Sequence, residues 1–254
     1  MSDKSSNDFR KRPRGIYLLP NLFTTAALFA GFYSIVAAMK GYFDIAAIAV
    51  FVAMVADGLD GRVARMTNTQ TAFGAEYDSL ADMVAFAVAP ALIIYSWSLS
   101  SLGKIGWLVA FLYTAATALR LARFNTQLDQ DKSYFQGLPS PSAAAVIASM
   151  VWLGGYYDVT GLLIAIPAAV ITLFVAGLMV SKVRYYSFKK IDFKGKVPFF
   201  VIVSIVLLLA AIAVDPPEML FIIFSFYACS GPIMTLIQIR KMKKRNRGVK
   251  KTPR

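Results

Sequence analysis

The chain has 254 residues, 57% of them hydrophobic, a mean hydropathy of +0.59 and a formal charge of +13. That composition excludes an ordinary soluble domain and reads as a polytopic membrane protein. It contains no histidine and one cysteine, Cys229, which excludes Ser-His-Asp, Cys-His and His-zinc chemistry and any intrachain disulfide.

Residues 1–14 are polar and basic, with Lys4, Arg10, Lys11, Arg12 and Arg14. They read either as a solvated tail or as a short amphipathic segment on an anionic surface. The apolar run that follows is too long for a cleavable signal peptide and is followed by further spans. The first span is predicted from about Ile16 to Met39, long enough to cross a core of roughly 30 Å. Pro20 suits its first turn. Asn21 and Thr24 share a face at the membrane edge, where helix capping and ligand contact are both open readings.

The second span is predicted from about Phe43 to Arg65, with Asp57 and Asp60 in its last two turns. A short polar linker, Met66 to Phe73, leads to a third span from about Gly74 to Leu99 that carries Asp78 and Asp82 in its first turns. Asp57 and Asp60 are three apart and Asp78 and Asp82 four apart, so each pair shares a helix face. The short linker makes the two helices antiparallel neighbours and brings the four carboxylates to one membrane face. Each carboxylate costs roughly 2.5–3.5 kcal/mol at membrane depth, so something must offset the set. Divalent cations suit clustered oxygen ligands. Gly58 and Gly61 allow either a ligand's close approach or tight helix packing beside them.

The fourth span, from about Lys104 to Phe124, ends in Arg120-Leu-Ala-Arg123-Phe-Asn125, and a loop with Pro139-Ser140-Pro141-Ser142 follows. Spans five to eight fit at about Ala143–Tyr157, Gly161–Val180, Val197–Val214 and Met219–Ile239, with Pro139 as an alternative start for the short fifth. A basic loop separates the sixth and seventh spans. The expected organisation is a basic segment at 1–15, one transmembrane domain at 16–240 and a basic tail at 241–254. With the N-terminus inside, alternation through eight spans leaves 25 of the 27 Lys and Arg on the cytoplasmic side, all but Lys40 and Lys104. The positive-inside asymmetry accordingly predicts both termini and all four aspartates at that face. The same clustering accounts for the net charge without a nucleic-acid partner.

Asp57-x-x-Asp60-Gly61-x-x-Ala64-Arg65, eight residues, then Gly74-x-x-x-Asp78-x-x-x-Asp82 is similar to the signature of the CDP-alcohol phosphotransferases, with every fixed position filled. Together with the eight spans fitted above, the resemblance implies an all-α polytopic membrane fold, and it implies a homodimer. It implies two Mg²⁺ or Mn²⁺ ions held by Asp57, Asp60 and Asp78, with Asp82 as a fourth ligand, the general base, or both. Gly61, Arg65 and Thr71 match positions that hold the CDP moiety, and the opening with Asn21 and Thr24 matches the family's first helix, which favours nucleotide contact there. The implied chemistry is attack of an alcohol on the lipid-side phosphorus of a CDP-linked lipid, with CMP leaving.

The motifs after the signature resemble the phosphatidylserine synthase branch, which implies CDP-diacylglycerol and L-serine as substrates. On physical grounds Arg120 and Arg123 are suited to a bidentate grip on a carboxylate, with Asn125, Ser140 and Ser142 near the ammonium. Their competing reading is as plain cytoplasmic anchors. Sister reactions with glycerol 3-phosphate or inositol phosphate stay open. A divalent-cation transporter is disfavoured because the aspartates lie near one face, without a matching broken-helix repeat.

Overall fold

The computed structural model describes residues 18–67, 69, 71–126, 134–186 and 199–249. The basic segment expected at 1–15 and the last five residues of the tail lie outside them. Eight helices are present among the described residues. These are α1 (Leu18–Met39), α2 (Phe43–Thr67), α3 (Ala72–Trp97), α4 (Lys104–Thr126), α5 (Ser140–Tyr156), α6 (Ala165–Val180), α7 (Phe199–Val214) and α8 (Pro216–Val249). Four stretches are long and apolar enough to cross a membrane by length and composition: Leu19–Met39, Ala72–Trp97, Lys104–Thr126 and Pro216–Ile237. Helices α6 and α7 are apolar but shorter, and α2 is interrupted by its own charged residues.

The two ends of the bundle alternate along the chain. At one end Ser98 Oγ donates to the carbonyl of Gly161 at 2.6 Å, Tyr156 donates to Asp215 at 3.2 Å, and Asp44 lies against Gly155. At the other end lie the α2–α3 turn, the end of α4, the start of α5 and the end of α6. Each helix therefore runs antiparallel to its predecessor, which is the polytopic arrangement expected. Alanines fill the crossings: α5 buries Ala143, Ala144, Ala145 and Ala148, and small residues let membrane helices approach where no water drives association. α7 buries no residue at all, which suits a helix whose solvent is lipid.

The α1–α2 link is three residues. Gly41 sits at φ 80° and the Tyr42 N–H reaches back to the Ala37 carbonyl, a glycine-closed helix end. Ser34 then donates to the Ala46 carbonyl across the hairpin at 2.7 Å. α3 starts on Thr71, whose hydroxyl accepts from the Gly74 N–H at 3.0 Å. It is not a regular helix throughout. Residues Met83–Val88 form a π-helical segment directly after Asp82. Pro90 has no N–H to offer the Phe86 carbonyl four residues before it, and the buried Tyr113 hydroxyl of α4 donates to that carbonyl instead, at 3.0 Å. A methyl group at Gly31 of α1 would lie 2.7 Å from Ala85 Cα, so α1 crosses this segment at backbone contact.

Two features depart from the sequence reading. The loops after α4 and α6 were expected without regular structure, but they meet as a two-stranded antiparallel ribbon, β1 (Tyr134–Gln136) and β2 (Arg184–Tyr186), with Phe135 opposite Tyr185. Gly137, at φ 77°, continues the ladder by donating to the Val183 carbonyl. α8 also runs on to Val249 as one helix, so the basic residues expected as a tail from 241 extend the last span. The fifth helix takes the start near Pro139.

Candidate active site

The aspartates converge as the short α2–α3 link requires. Asp57, Asp60 and Asp78 each present a carboxylate oxygen within 4.8 Å of the others. At an effective dielectric of about 20, each fully ionised pair at that range repels by about 3 kcal/mol. Oxygen donors at this spacing suit a hard divalent cation, which would remove the repulsion. The residues present therefore fit a metal site.

Asp60 is the most enclosed of the three, 5% exposed. Two neutral donors orient it: Thr24 Oγ1 at 2.8 Å, and the backbone N–H of Gly61. Thr24 is itself buried, with its hydroxyl also against the Pro20 carbonyl at 3.2 Å. Its side chain thus acts on a ligand of the candidate centre. Next to it, Thr25 meets the Tyr77 hydroxyl at 2.9 Å and ties α1 to the turn that carries Asp78. Asp82, one turn further along α3, contacts Asp57 side chain to side chain.

Arg120 on α4 is 9% exposed. Its Nη1 donates to Ser140 Oγ at 3.2 Å, at the start of α5, and its Nε has no hydrogen-bond partner among the described residues. Arg123 does not join it in a paired grip: its Nη1 donates to the Val180 carbonyl at 3.1 Å, capping α6. Asn125 exchanges hydrogen bonds with Ser79 at 3.0 and 3.3 Å and so braces the helix turn that carries Asp78. Ser142 is half-buried in the first turn of α5.

The residues expected around a nucleotide lie at the rim. Asn21 Oδ1 is 3.5 Å from where a Gly74 Cβ would stand, beside the Thr71 cap. Thr71 and Arg65 are exposed. Gly58 has open space on its Cβ side and Gly61 has only the Arg65 side chain at 3.9 Å, so neither glycine packs against another helix. Of their two readings, room for a ligand is the one with space for it. Sequence reasoning missed Tyr77 and Ser79, which flank Asp78 and were within reach of a periodicity argument.

The chain matches the family model described as CDP-alcohol phosphatidyltransferase over residues 17–176. It is 40% identical over 229 residues to a protein of Helicobacter pylori named CDP-diacylglycerol–serine O-phosphatidyltransferase, covering 89% of this chain and 94% of that one. A Mycobacterium leprae protein of the same name is 30% identical, with 87% and 76% covered. An archaetidylserine synthase of Methanothermobacter thermautotrophicus is 36% identical over 187 residues, 73% of each chain. With the acidic group of α2 and α3 falling inside the matched region, this chain belongs to the CDP-alcohol phosphatidyltransferase family.

Proposed function

We propose that this protein transfers the phosphatidyl group of CDP-diacylglycerol to the hydroxyl of L-serine, giving phosphatidylserine and CMP. The observation that carries the reading is the convergence of three carboxylates of α2 and α3 inside the matched family region, together with a buried arginine of α4 whose Nε has no partner among the described residues. Two relatives with different lipid names, the phosphatidyl and archaetidyl enzymes, share serine in theirs.

Asp57, Asp60 and Asp78, with Asp82 alongside, would hold two Mg²⁺ or Mn²⁺ ions. Bound ions supply charge neutralisation of the diphosphate and an oriented phosphorus. Asn21, Gly61, Arg65 and Thr71 line the open rim where the CDP part would enter. Arg120 receives the serine carboxylate on its free Nε edge, which cancels a buried charge that would otherwise be costly. Asp82 accepts the proton of the serine hydroxyl. The serine oxygen then bonds to the lipid-side phosphorus as the bond from that phosphorus to the CMP oxygen breaks. Because Asp82 also touches Asp57, the proton enters a carboxyl pair able to share it. Ser140 holds Arg120 in place, and Asn125, through Ser79, holds the α3 turn.

The positive-inside distribution of Lys and Arg in the sequence supports a cytoplasmic site and cytoplasmic termini. The unit at 16–240 is the catalytic domain between two basic segments. We take it to be a homodimer, which the mass of the solubilised particle checks.

The test is direct. Purified protein with CDP-diacylglycerol and labelled serine should release CMP and form labelled lipid only with Mg²⁺ or Mn²⁺ present. Efficient transfer to glycerol 3-phosphate or inositol phosphate in its place would reassign the acceptor. Metal-dependent cation flux without CMP release would replace the enzyme reading altogether.

A further inference from the structure

The outer face of the α1–α2 hairpin is hollowed. A groove of about 580 Å³ runs between the two helices, with Ala30 and Ala49 as its floor. Both alanines are 7% exposed, and their short side chains leave a depth that longer ones would fill. The walls are Leu22, Phe29 and Tyr33 on α1 and Ile45, Ile48 and Val52 on α2, all of them exposed. Thr25 and Tyr33 carry the only hydroxyls of the lining.

The two ends of the groove differ. One opens at the acidic group. Thr25 follows Thr24, the donor to Asp60, and its own hydroxyl meets Tyr77 on the turn that carries Asp78. On α2, Val52 precedes Asp57 by five residues. The other end lies near the α1–α2 turn. There Ser34 donates to the Ala46 carbonyl, which puts Tyr33 and Ile45, one residue before each, at the same level. Tyr33 stacks on Phe29 with ring centroids 6.5 Å apart and planes at 12°. From Leu22 to Tyr33 the groove follows α1 for about 17 Å. A hydrocarbon core is roughly 30 Å thick, so the groove is about one leaflet deep.

These features fit one occupant. The phosphorus under attack must lie at the acidic group, and the acyl chains joined to it through glycerol run from there into one leaflet. A helix of a second copy would fill an apolar groove too, but nothing in that contact would require the groove to open beside Asp60 and Asp78.

We propose that the α1–α2 groove takes one acyl chain of the CDP-linked lipid, and that Tyr33 and Ile45 at its far end set the chain length the enzyme prefers. This rests on the reading of CDP-diacylglycerol as donor. It makes the hairpin that carries Asp57 and Asp60 a selector of lipid as well.

The experiment uses the full chain in lipid nanodiscs with saturating metal and serine. Dioctanoyl, dimyristoyl and dioleoyl CDP-diacylglycerol are compared, each over a range of mole fractions. Ile45→Trp enlarges the side chain at the far end and Tyr33→Ala removes a ring there; both positions are exposed, so neither change cuts into the packed core. Ile45→Trp should lower the ratio of kcat/KM for the dioleoyl donor to that for the dioctanoyl donor by about tenfold, the loss of roughly two buried methylenes. Tyr33→Ala should raise that ratio. The serine KM should stay within about twofold of wild type in both. A ratio within about twofold of wild type in both variants overturns the proposal, and a smaller solubilised particle alongside it would give the groove to a second copy. An equal fall in kcat/KM for every donor also overturns it, because that marks packing residues. A wild-type protein that releases no CMP from any of the three donors would instead overturn the donor reading itself, before any variant is compared.

Discussion

Thr24 shows how a single hydroxyl changes its meaning once a partner is known. From the sequence it was a cap or a nucleotide contact. In the structure it is buried and donates to Asp60 at 2.8 Å from a different helix. A hydrogen bond that fixes a metal-ligating carboxylate is typically worth 10–100-fold in metal affinity or activity. Thr24→Val keeps the shape and removes the donor. It should raise the Mg²⁺ or Mn²⁺ concentration needed for half-maximal turnover by about 10–100-fold while the CDP-diacylglycerol KM stays near wild type. A metal titration of CMP release checks this. A rise confined to the lipid KM would return Thr24 to the nucleotide site. The aspartates themselves were legible, because spacings of three and four residues and a short linker are local information. Thr24 and Asp60, 36 residues apart, were legible as members of two helices but not as a pair. The split between Arg120 and Arg123 was hidden for a related reason: helical spacing allows a shared face, but the end of α6 decides where Arg123 points.

At the scale of elements, apolar runs located seven of the eight helices to within a few residues and the last one up to its basic extension to Val249, and the irregularities are where they failed. The π-helical Met83–Val88 was read as ordinary helix with a routine proline kink. Its cause is tertiary. α1 needs backbone contact at Ala85 through Gly31, and Pro90 leaves the Phe86 carbonyl for Tyr113 to satisfy. The β1–β2 ribbon likewise joins two loops that are about fifty residues apart and carry no alternation long enough to read. π-helical turns often sit at functional sites, and this one begins at the residue after Asp82, so its rigidity bears on the proposed base. Tyr113→Phe removes only a hydroxyl from a side chain that is fully buried. It removes the side-chain donor to the Phe86 carbonyl, a loss of about 1–3 kcal/mol where no other donor replaces it. The expected outcome is a lower midpoint for chemical unfolding in detergent, measured by the loss of helical circular dichroism. An unchanged midpoint would mean that water or a neighbouring N–H takes over the carbonyl, and the tyrosine would then be filling space only.

At the scale of the whole molecule, the alternation of ends among the described residues supplies the premise on which the count of charge rests. The first comes from hydrogen bonds such as Ser98 to Gly161 and Tyr156 to Asp215 at one end, and Thr24 to Asp60 and Arg120 to Ser140 at the other. The second is a count along the sequence, in which that alternation assigns 25 of the 27 Lys and Arg to the second end. An anionic substrate bound among carboxylates gains from that surplus of positive charge on its own side of the membrane. The chain's only cysteine allows a clean test of the side. In a Cys229→Ser background, Ser100→Cys marks the turn after α3 and Met66→Cys marks the end of α2, both at exposed positions. In sealed vesicles of native orientation, a membrane-impermeant maleimide should label Ser100→Cys at once, and Met66→Cys only after permeabilisation. The reverse pattern would put the acidic group on the outer face, away from a cytoplasmic pool of CDP-lipid and amino acid, and would overturn the proposed sidedness while leaving the geometry of the site intact. Labelling of both positions without permeabilisation would show that Met66 is reached through a water-filled path, and the bundle would then have to be open between α2 and its neighbours.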